Sequence, residues 1–197
     1  ETDINSWHFY INDYAKARKH IADVVAKTHP GSEFNYIGGN KQADEPLMNS
    51  EFGGISAGLG DQDISWCFKY LTSELRKHDK ICGYVYTEQS DIEWEHNGFL
   101  NYDRTEKEYG YDFWFPGFSL ADLNAPDFIV LDIEPCPLVE AGQTLDVPLL
   151  LSHWSDREDE KLTLNWRLDC LDRWGKRHDN VAGGTRAISW KPYEVVP

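Results

Sequence analysis

The chain has little positive charge, few thiols and no long apolar run, and each shortage excludes something. Nineteen Lys and Arg stand against 34 Asp and Glu, for a net charge of −15. A phosphate backbone needs clustered basic side chains, so nucleic acid is excluded as a partner, and the acidity reads as a well-solvated surface. No stretch of about 18 apolar residues occurs, so no membrane-spanning helix is expected and no membrane partner. The cysteines, Cys67, Cys82, Cys136 and Cys170, lie far apart with no CxxC pair. They form neither a zinc signature nor a dense disulfide framework, and reduced, buried thiols are expected. The histidines show no HExxH or related spacing, so no metal and no other cofactor is expected. The compartment stays open between the cytoplasm and the periplasm or exterior of a bacterium. The chain begins at Glu1 with no signal peptide, and is expected to be a piece of something longer.

Enough apolar residues are present to build a core: they make up 41% of 197 residues, and aromatics alone 14%. The first 120 residues or so alternate between strand and helix patterns. "DINSWHFYI" is a short aromatic, β-prone run. In "NDYAKARKHIADVVAKTH", Tyr14, Ala17, Ile21, Val24 and Val25 recur at helical spacing, with Asn12 as the expected N-cap. "PLMNSEF" reads as a second strand. "DQDISWCFKYLTSELRKHDK" reads as a second helix with Ile64, Phe68, Leu71 and Leu75 on one face and Asp61 or Asp63 as cap. "ICGYVYT" is a third strand, continuous enough in apolar character to be covered on both faces. This order predicts a parallel α/β sheet with right-handed crossovers.

Beyond residue 120 the pattern becomes all-β. In "KLTLNWRLDCLD", Leu162, Leu164, Trp166, Leu168 and Cys170 alternate with polar residues, as in a half-buried antiparallel strand. "FIVLDI", "TLDVPLLLSHW" and "TRAISWKPYEVV" supply further strands, with turns expected at Ala141-Gly142, Trp174-Gly175 and Gly183-Gly184. Trp114, Trp154, Trp166 and Trp190 are expected in the core or at a domain interface. Two domains are expected, residues 1–120 and 121–197, each incomplete. Three strand–helix units do not close a barrel, and about four strands fall short of an immunoglobulin-like sandwich.

One carboxylate stands out. In "NSEFGGIS", Glu51 ends the second strand, where parallel sheets carry reactive groups, and Gly53-Gly54 allow a sharp turn and close backbone approach. A carboxylate there acts as base, metal ligand or nucleophile, or simply caps a loop. The first strand's exit offers His8 and Tyr10. The third strand's exit, "YTEQSDIEWEHNGFLNYDR", interleaves Glu88, Asp91, Glu93 and Glu95 with Trp94, His96 and Asn97. Carboxylates among aromatic rings suit a sugar: ring faces stack on its C–H faces while carboxylates and amides bind its hydroxyls. The same acidic cluster offers oxygen ligands for Ca²⁺ but lacks the order of a dedicated calcium loop.

These stretches resemble glycoside hydrolase family 2, which includes β-galactosidases, β-glucuronidases and β-mannosidases. The likeness is strongest over residues 46–112, from "PLMNSEFGGIS" to "ICGYVYTEQSDIEWEHNGFLNYDRTEKEYGYD". It implies that the chain holds the last three strand–helix units of a (β/α)8 TIM barrel, followed by part of an immunoglobulin-like β-sandwich. It also implies a retaining β-glycosidase acting on a carbohydrate substrate by double displacement. Glu51, in the family's Ser/Thr-Glu-Phe/Tyr-Gly pattern, would be the nucleophile, and His8, Tyr10, Tyr86, Glu88, Trp94 and Asn97 would bind substrate. A Tyr or His donating a hydrogen bond would orient Glu51 and favour its ionised form, and His8 and Tyr10 are both available.

The sequence also departs from the family. Its acid/base glutamate follows an asparagine, and no Asn-Glu pair occurs in this chain. Tyr86 stands where several members carry tryptophan. The resemblance therefore implies a fragment that needs the absent N-terminal barrel segment, and it leaves oligomerisation open. Glu88 serves as the second carboxylate only if it points into a barrel mouth. The alternative is a non-catalytic carbohydrate-binding or interaction module with a decayed barrel.

Overall fold

The computed structural model describes residues 3–53, 62–110, 115–117, 119–158 and 162–197. Its first part is β1 (Asn5–Tyr10), α1 (Tyr14–Lys27), β2 (Leu47–Gly53), α2 (Ser65–Arg76) and β3 (Ile81–Tyr86). The strands form one parallel sheet in the order β1-β2-β3. The expected strand–helix alternation is present, with two differences at the helix starts. Asp13, not Asn12, caps α1, its carboxylate accepting the Lys16 N–H. In α2, Ile64 occupies the cap position without a side-chain bond, and Asp63 takes the Ser65 N–H and hydroxyl instead. Asp61 and Gly54 lie outside the described residues, as does Trp114.

Both helices cover the same face of the sheet. Ala17, Ile21 and Val24 from α1 and Phe68, Leu71 and Leu75 from α2 are buried, as is Ile64 at the cap of α2. The six helix residues meet Trp7, Phe9, Leu47, Phe52 and Ile81 from the strands in one apolar cluster. Phe52 is its hub. It stacks with Phe9 and Phe68 at 6.0 and 6.4 Å and takes Tyr84 and Tyr86 edge-on at 5.8 and 5.3 Å. The opposite face carries Ser6, His8, Tyr10, Glu51 and Val85, and Val85 is 47% exposed. The expectation that β3 is covered on both faces is therefore corrected: among the described residues helices cover one face only.

The remaining strands are β4 (Asp127–Leu131), β5 (Leu149–His153), β6 (Leu162–Leu171), β7 (Arg177–Ile188) and β8 (Val195–Val196). They form an antiparallel sheet β4-β5-β8 and a hairpin β6-β7. A groove of about 610 Å³ separates the two, lined by Ile129, Leu149, Leu151, Leu164 and Ile188. The turns expected at Ala141-Gly142 and Trp174-Gly175 are present, with φ of +87° at Gly142 and +80° at Gly175. Gly183-Gly184 is not a turn but lies inside β7, opposite Arg167 and Trp166. A Cβ on Gly184 would sit 2.8 Å from the Trp166 indole nitrogen, so the glycine makes room for that ring. Trp154 does lie at an interface and Trp190 stacks on His153 at 3.7 Å, but Trp166 is 49% exposed. No disulfide joins the four cysteines, and Cys82, Cys136 and Cys170 are exposed, not buried.

Arg76, 1% exposed, locks α2 to the second sheet. Its guanidinium donates to Ser152 Oγ at 2.9 Å, Ser152 O at 2.9 Å, Ala125 O at 3.0 Å and Pro126 O at 2.7 Å. Its plane lies 4.0 Å over the Trp154 ring. Beside it, buried Glu74 pairs with Arg18 of α1 at 2.8 Å and Lys77 at 2.7 Å, and both cations reach Asp132 just past β4. Phe128 and Val130 of β4 join the apolar cluster under α2. Arg76→Lys retains the charge but loses the planar fork, leaving buried carbonyls without donors. It should lower stability by about 3 kcal/mol, read as a shift of the urea midpoint. A change under about 1 kcal/mol would show that these bonds do not hold the layers together.

Candidate functional site

The site begins with an irregularity in β2. Trp7 pairs with Asn49, but the next residue of β1, His8, pairs with Glu51, so Ser50 is an extra residue in the ladder. Both Asn49 Nδ2 and Ser50 Oγ donate to the Trp7 carbonyl at 3.1 Å, which holds the bulge closed. The bulge reverses side-chain parity. Strict alternation would place Leu47, Asn49 and Glu51 together under the helices. Instead Leu47, Asn49 and Phe52 are buried, and Glu51 emerges on the uncovered face next to His8.

Tyr10 is the partner of Glu51. Its hydroxyl donates to Glu51 Oε1, and burial, then that carboxylate, push the phenol up to about 12, so Tyr10 remains a proton donor at neutral pH. Gly53 sets the position of this ring: a Cβ there would meet Tyr10 Cε1 at 3.0 Å and the Thr87 carbonyl at 3.2 Å. His8 is exposed on the same face.

The loop after β3 carries the second group of candidates. It folds around Asp91, 4% exposed, which accepts the Gly98 N–H and the Lys107 ammonium, both at 2.9 Å. A side chain at Gly98 would strike the Asp91 nitrogen at 2.2 Å, so the fold requires glycine there. Burial raises the Glu88 carboxyl above its ordinary range, and the Glu95 and Asp91 carboxylates raise it further. Glu95 also acts on Tyr10, which places its charge near the Glu51 pair. Trp94 is 66% exposed on the loop surface.

Tyr86 and Asn97 are placed differently from the rest. The Tyr86 ring lies in the core, stacked on Phe99 at 4.4 Å, and its hydroxyl donates to the Asn97 carbonyl at 2.8 Å. Asn97, 2% exposed, donates from Nδ2 to the Thr87 carbonyl at 2.6 Å. Both brace the loop from beneath. The structure thus gathers Glu51, Tyr10 and His8, sets Glu88 and Trp94 on the adjoining loop, and turns Tyr86 and Asn97 inward. Sequence reasoning missed the role of Asn49 and Ser50. The signal was present: Leu47 and Phe52, both core residues, are five apart, an odd spacing that unbroken alternation cannot put on one face. Among the described residues no group of three or more His, Cys, Asp or Glu is placed to hold a metal ion. None of their helices is long and apolar enough to cross a membrane.

No family model matches the chain, and no curated protein sequence does. Solved structures similar to it at low levels include two β-glucuronidases. One is Faecalibacterium prausnitzii β-glucuronidase, 17% identical, with a TM-score of 0.39 over 60% of this chain and 23% of that one. The other is Bacteroides uniformis β-glucuronidase 2 covalently bound to cyclophellitol-6-carboxylate aziridine. It is 16% identical, with a TM-score of 0.33 over 96% of this chain and 23% of that one. The chain spans about a quarter of the length of each.

Gly53→Ala should displace the Tyr10 ring and separate its hydroxyl from Glu51, because neither the ring nor the Thr87 carbonyl is the far end of a flexible chain. A crystal structure of the variant checks this. An unmoved Tyr10–Glu51 bond would show that the glycine is not what admits the ring.

Proposed function

We propose that this chain is part of a retaining β-glycosidase of the glycoside hydrolase family 2 type, with Glu51 as its nucleophile. The observation that carries the reading is the bulge at Ser50. It directs a carboxylate out of a packed parallel sheet at the carboxyl end of a strand, beside a tyrosine that donates to it. In this reading β1, β2 and β3 are the last three strands of a TIM barrel whose interior is the uncovered face. β1 and β3, each paired only with β2 among the described residues, join strands from elsewhere in the protein. The barrel part spans residues 1–120, and residues 121–197 belong to a β-sandwich.

The chemistry follows from the placement. Glu51 attacks the anomeric carbon of a β-glycoside as a second carboxylic acid, about 5–5.5 Å away, protonates the departing oxygen. That acid comes from outside this chain. The resulting glycosyl ester is then hydrolysed by a water activated by the same second group. Tyr10, holding Oε1, leaves Oε2 to attack and fixes the plane of the carboxylate, which is the positional component of such catalysis. His8 lies beside Glu51 on the face the sugar would occupy, and exposed Trp94 offers a stacking surface at its rim.

In the complete protein, Glu51→Gln should abolish turnover while the thermal midpoint stays within about 2 °C. Tyr10→Phe should lower kcat by about ten- to a hundredfold. The direct test incubates the protein with activated 2-fluoro glycosides. One sugar retained on the peptide holding Glu51 supports the assignment and names the sugar. An active enzyme carrying the label elsewhere, or full activity in Glu51→Gln, would overturn it. A protein with neither turnover nor adduct would be a binding module.

A further inference from the structure

The groove between the β4-β5-β8 sheet and the β6-β7 hairpin differs in composition from the chain that forms it. Two facing β layers ordinarily interdigitate their side chains across about 10 Å and leave little space between them. Here about 610 Å³ stays open, a volume typical of a small-molecule site. Ile129, Leu149 and Leu151 line it from the sheet, and Leu164 and Ile188 from the hairpin. Aromatics make up 14% of the sequence, and Asp and Glu number 34. Yet among the described residues neither an aromatic ring nor a carboxylate lines the groove.

The single charged residue lining it is Arg186. Arg186 stands directly opposite Leu164 in the hairpin ladder, so the two side chains share the face that meets the groove. It is exposed, and among the described residues no carboxylate pairs with it. In a chain with a net charge of −15, that leaves a free cation at the rim of an aliphatic cleft.

These features select a ligand. Sugars and flat aromatic molecules are held by ring faces, and the groove has none. A flexible alkyl chain needs only aliphatic walls. A peptide strand laid here would meet side chains on sheet faces, where the backbone groups are already paired within the ladders. The guanidinium fork matches a carboxylate in two parallel hydrogen bonds.

We propose that this groove binds a medium-chain fatty acid, with its alkyl chain between the two β layers and its carboxylate on the Arg186 guanidinium. The acid is taken up free in solution, because the net charge of −15 repels the chain from an anionic bilayer. The site shares no residue with the Glu51 region and does not depend on the glycosidase reading.

The test is calorimetric titration of the full chain with decanoate at pH 7, which should give one site with a Kd on the order of 10 μM. Butyrate, with six fewer methylenes, should bind at least about a hundredfold more weakly. Arg186→Gln, at an exposed position, should weaken decanoate about tenfold and leave neutral decanol unchanged. Methyl NMR should show the shifts confined to Ile129, Leu149, Leu151, Leu164 and Ile188. No heat at about 1 mM decanoate, or shifts located elsewhere, would overturn the proposal. Equal affinities of the variant and the original chain for decanoate would overturn Arg186 as the head-group site. A chain that sediments as a dimer with these methyls shielded, or that binds phosphatidylcholine vesicles but not decanoate, would assign the groove to another occupant and overturn it as well.

Discussion

The bulge at Ser50 decides where everything else in the sheet points. One extra residue in β2 sends Phe52 toward the helices and Glu51 away from them. Phe52 then meets Phe9, Phe68, Tyr84 and Tyr86, joining rings from all three strands and from α2. Without the bulge, the same sequence would bury a carboxylate in that aromatic cluster with no cation facing it, a cost of several kcal/mol. Core and site are therefore two results of one irregularity. The Asn49 and Ser50 side chains that hold it do so by sharing a single carbonyl, that of Trp7.

The second constraint is Arg76. A buried guanidinium satisfied by carbonyls and a hydroxyl, and stacked on Trp154, is a geometric latch more than an ion pair. It fixes α2 against β4 and β5, and α2 in turn carries the apolar residues on which β2 and β3 rest. Glu74, two residues before it, anchors α1 to the same helix through Arg18. With these two contacts the helix layer has little freedom to slide, and the strand ends beneath it are held at defined heights.

Much of this was legible in the sequence. The helical spacing of Ala17, Ile21 and Val24 and of Ile64, Phe68, Leu71 and Leu75 located both helices and their buried faces. The parallel order followed from alternation of pattern, and Glu51 was marked by its position before two glycines. What was not legible depends on partners distant in sequence. Whether Tyr10 or His8 donates to Glu51 depends on a diagonal register between strands about 40 residues apart. Tyr86 looked available because a strand residue near a site points in or out with equal ease on paper. The ring of Phe99, thirteen residues on, draws it inward. Gly183-Gly184 resembled a turn because composition cannot distinguish a glycine that bends the chain from one that clears space for Trp166.

The groups that position Glu51 and those proposed to touch a ligand differ in how they are held. Thr87 N–H donates to the Phe52 carbonyl at 2.9 Å, Asn97 holds the Thr87 carbonyl, and Tyr86 holds the Asn97 carbonyl. The end of β2, the end of β3 and the loop beyond are thus one hydrogen-bonded chain, closed below by the aromatic cluster. Tyr10 is fitted against that chain through the vacancy at Gly53. By contrast, His8 and Trp94 are exposed and make no comparable set of contacts among the described residues. In the proposed role of nucleophile, Glu51 has to meet one carbon at one angle, and such a group benefits from being overdetermined. Surfaces proposed to fit the rest of a ligand do better with room to adjust, and the exposure of His8 and Trp94 is consistent with that division.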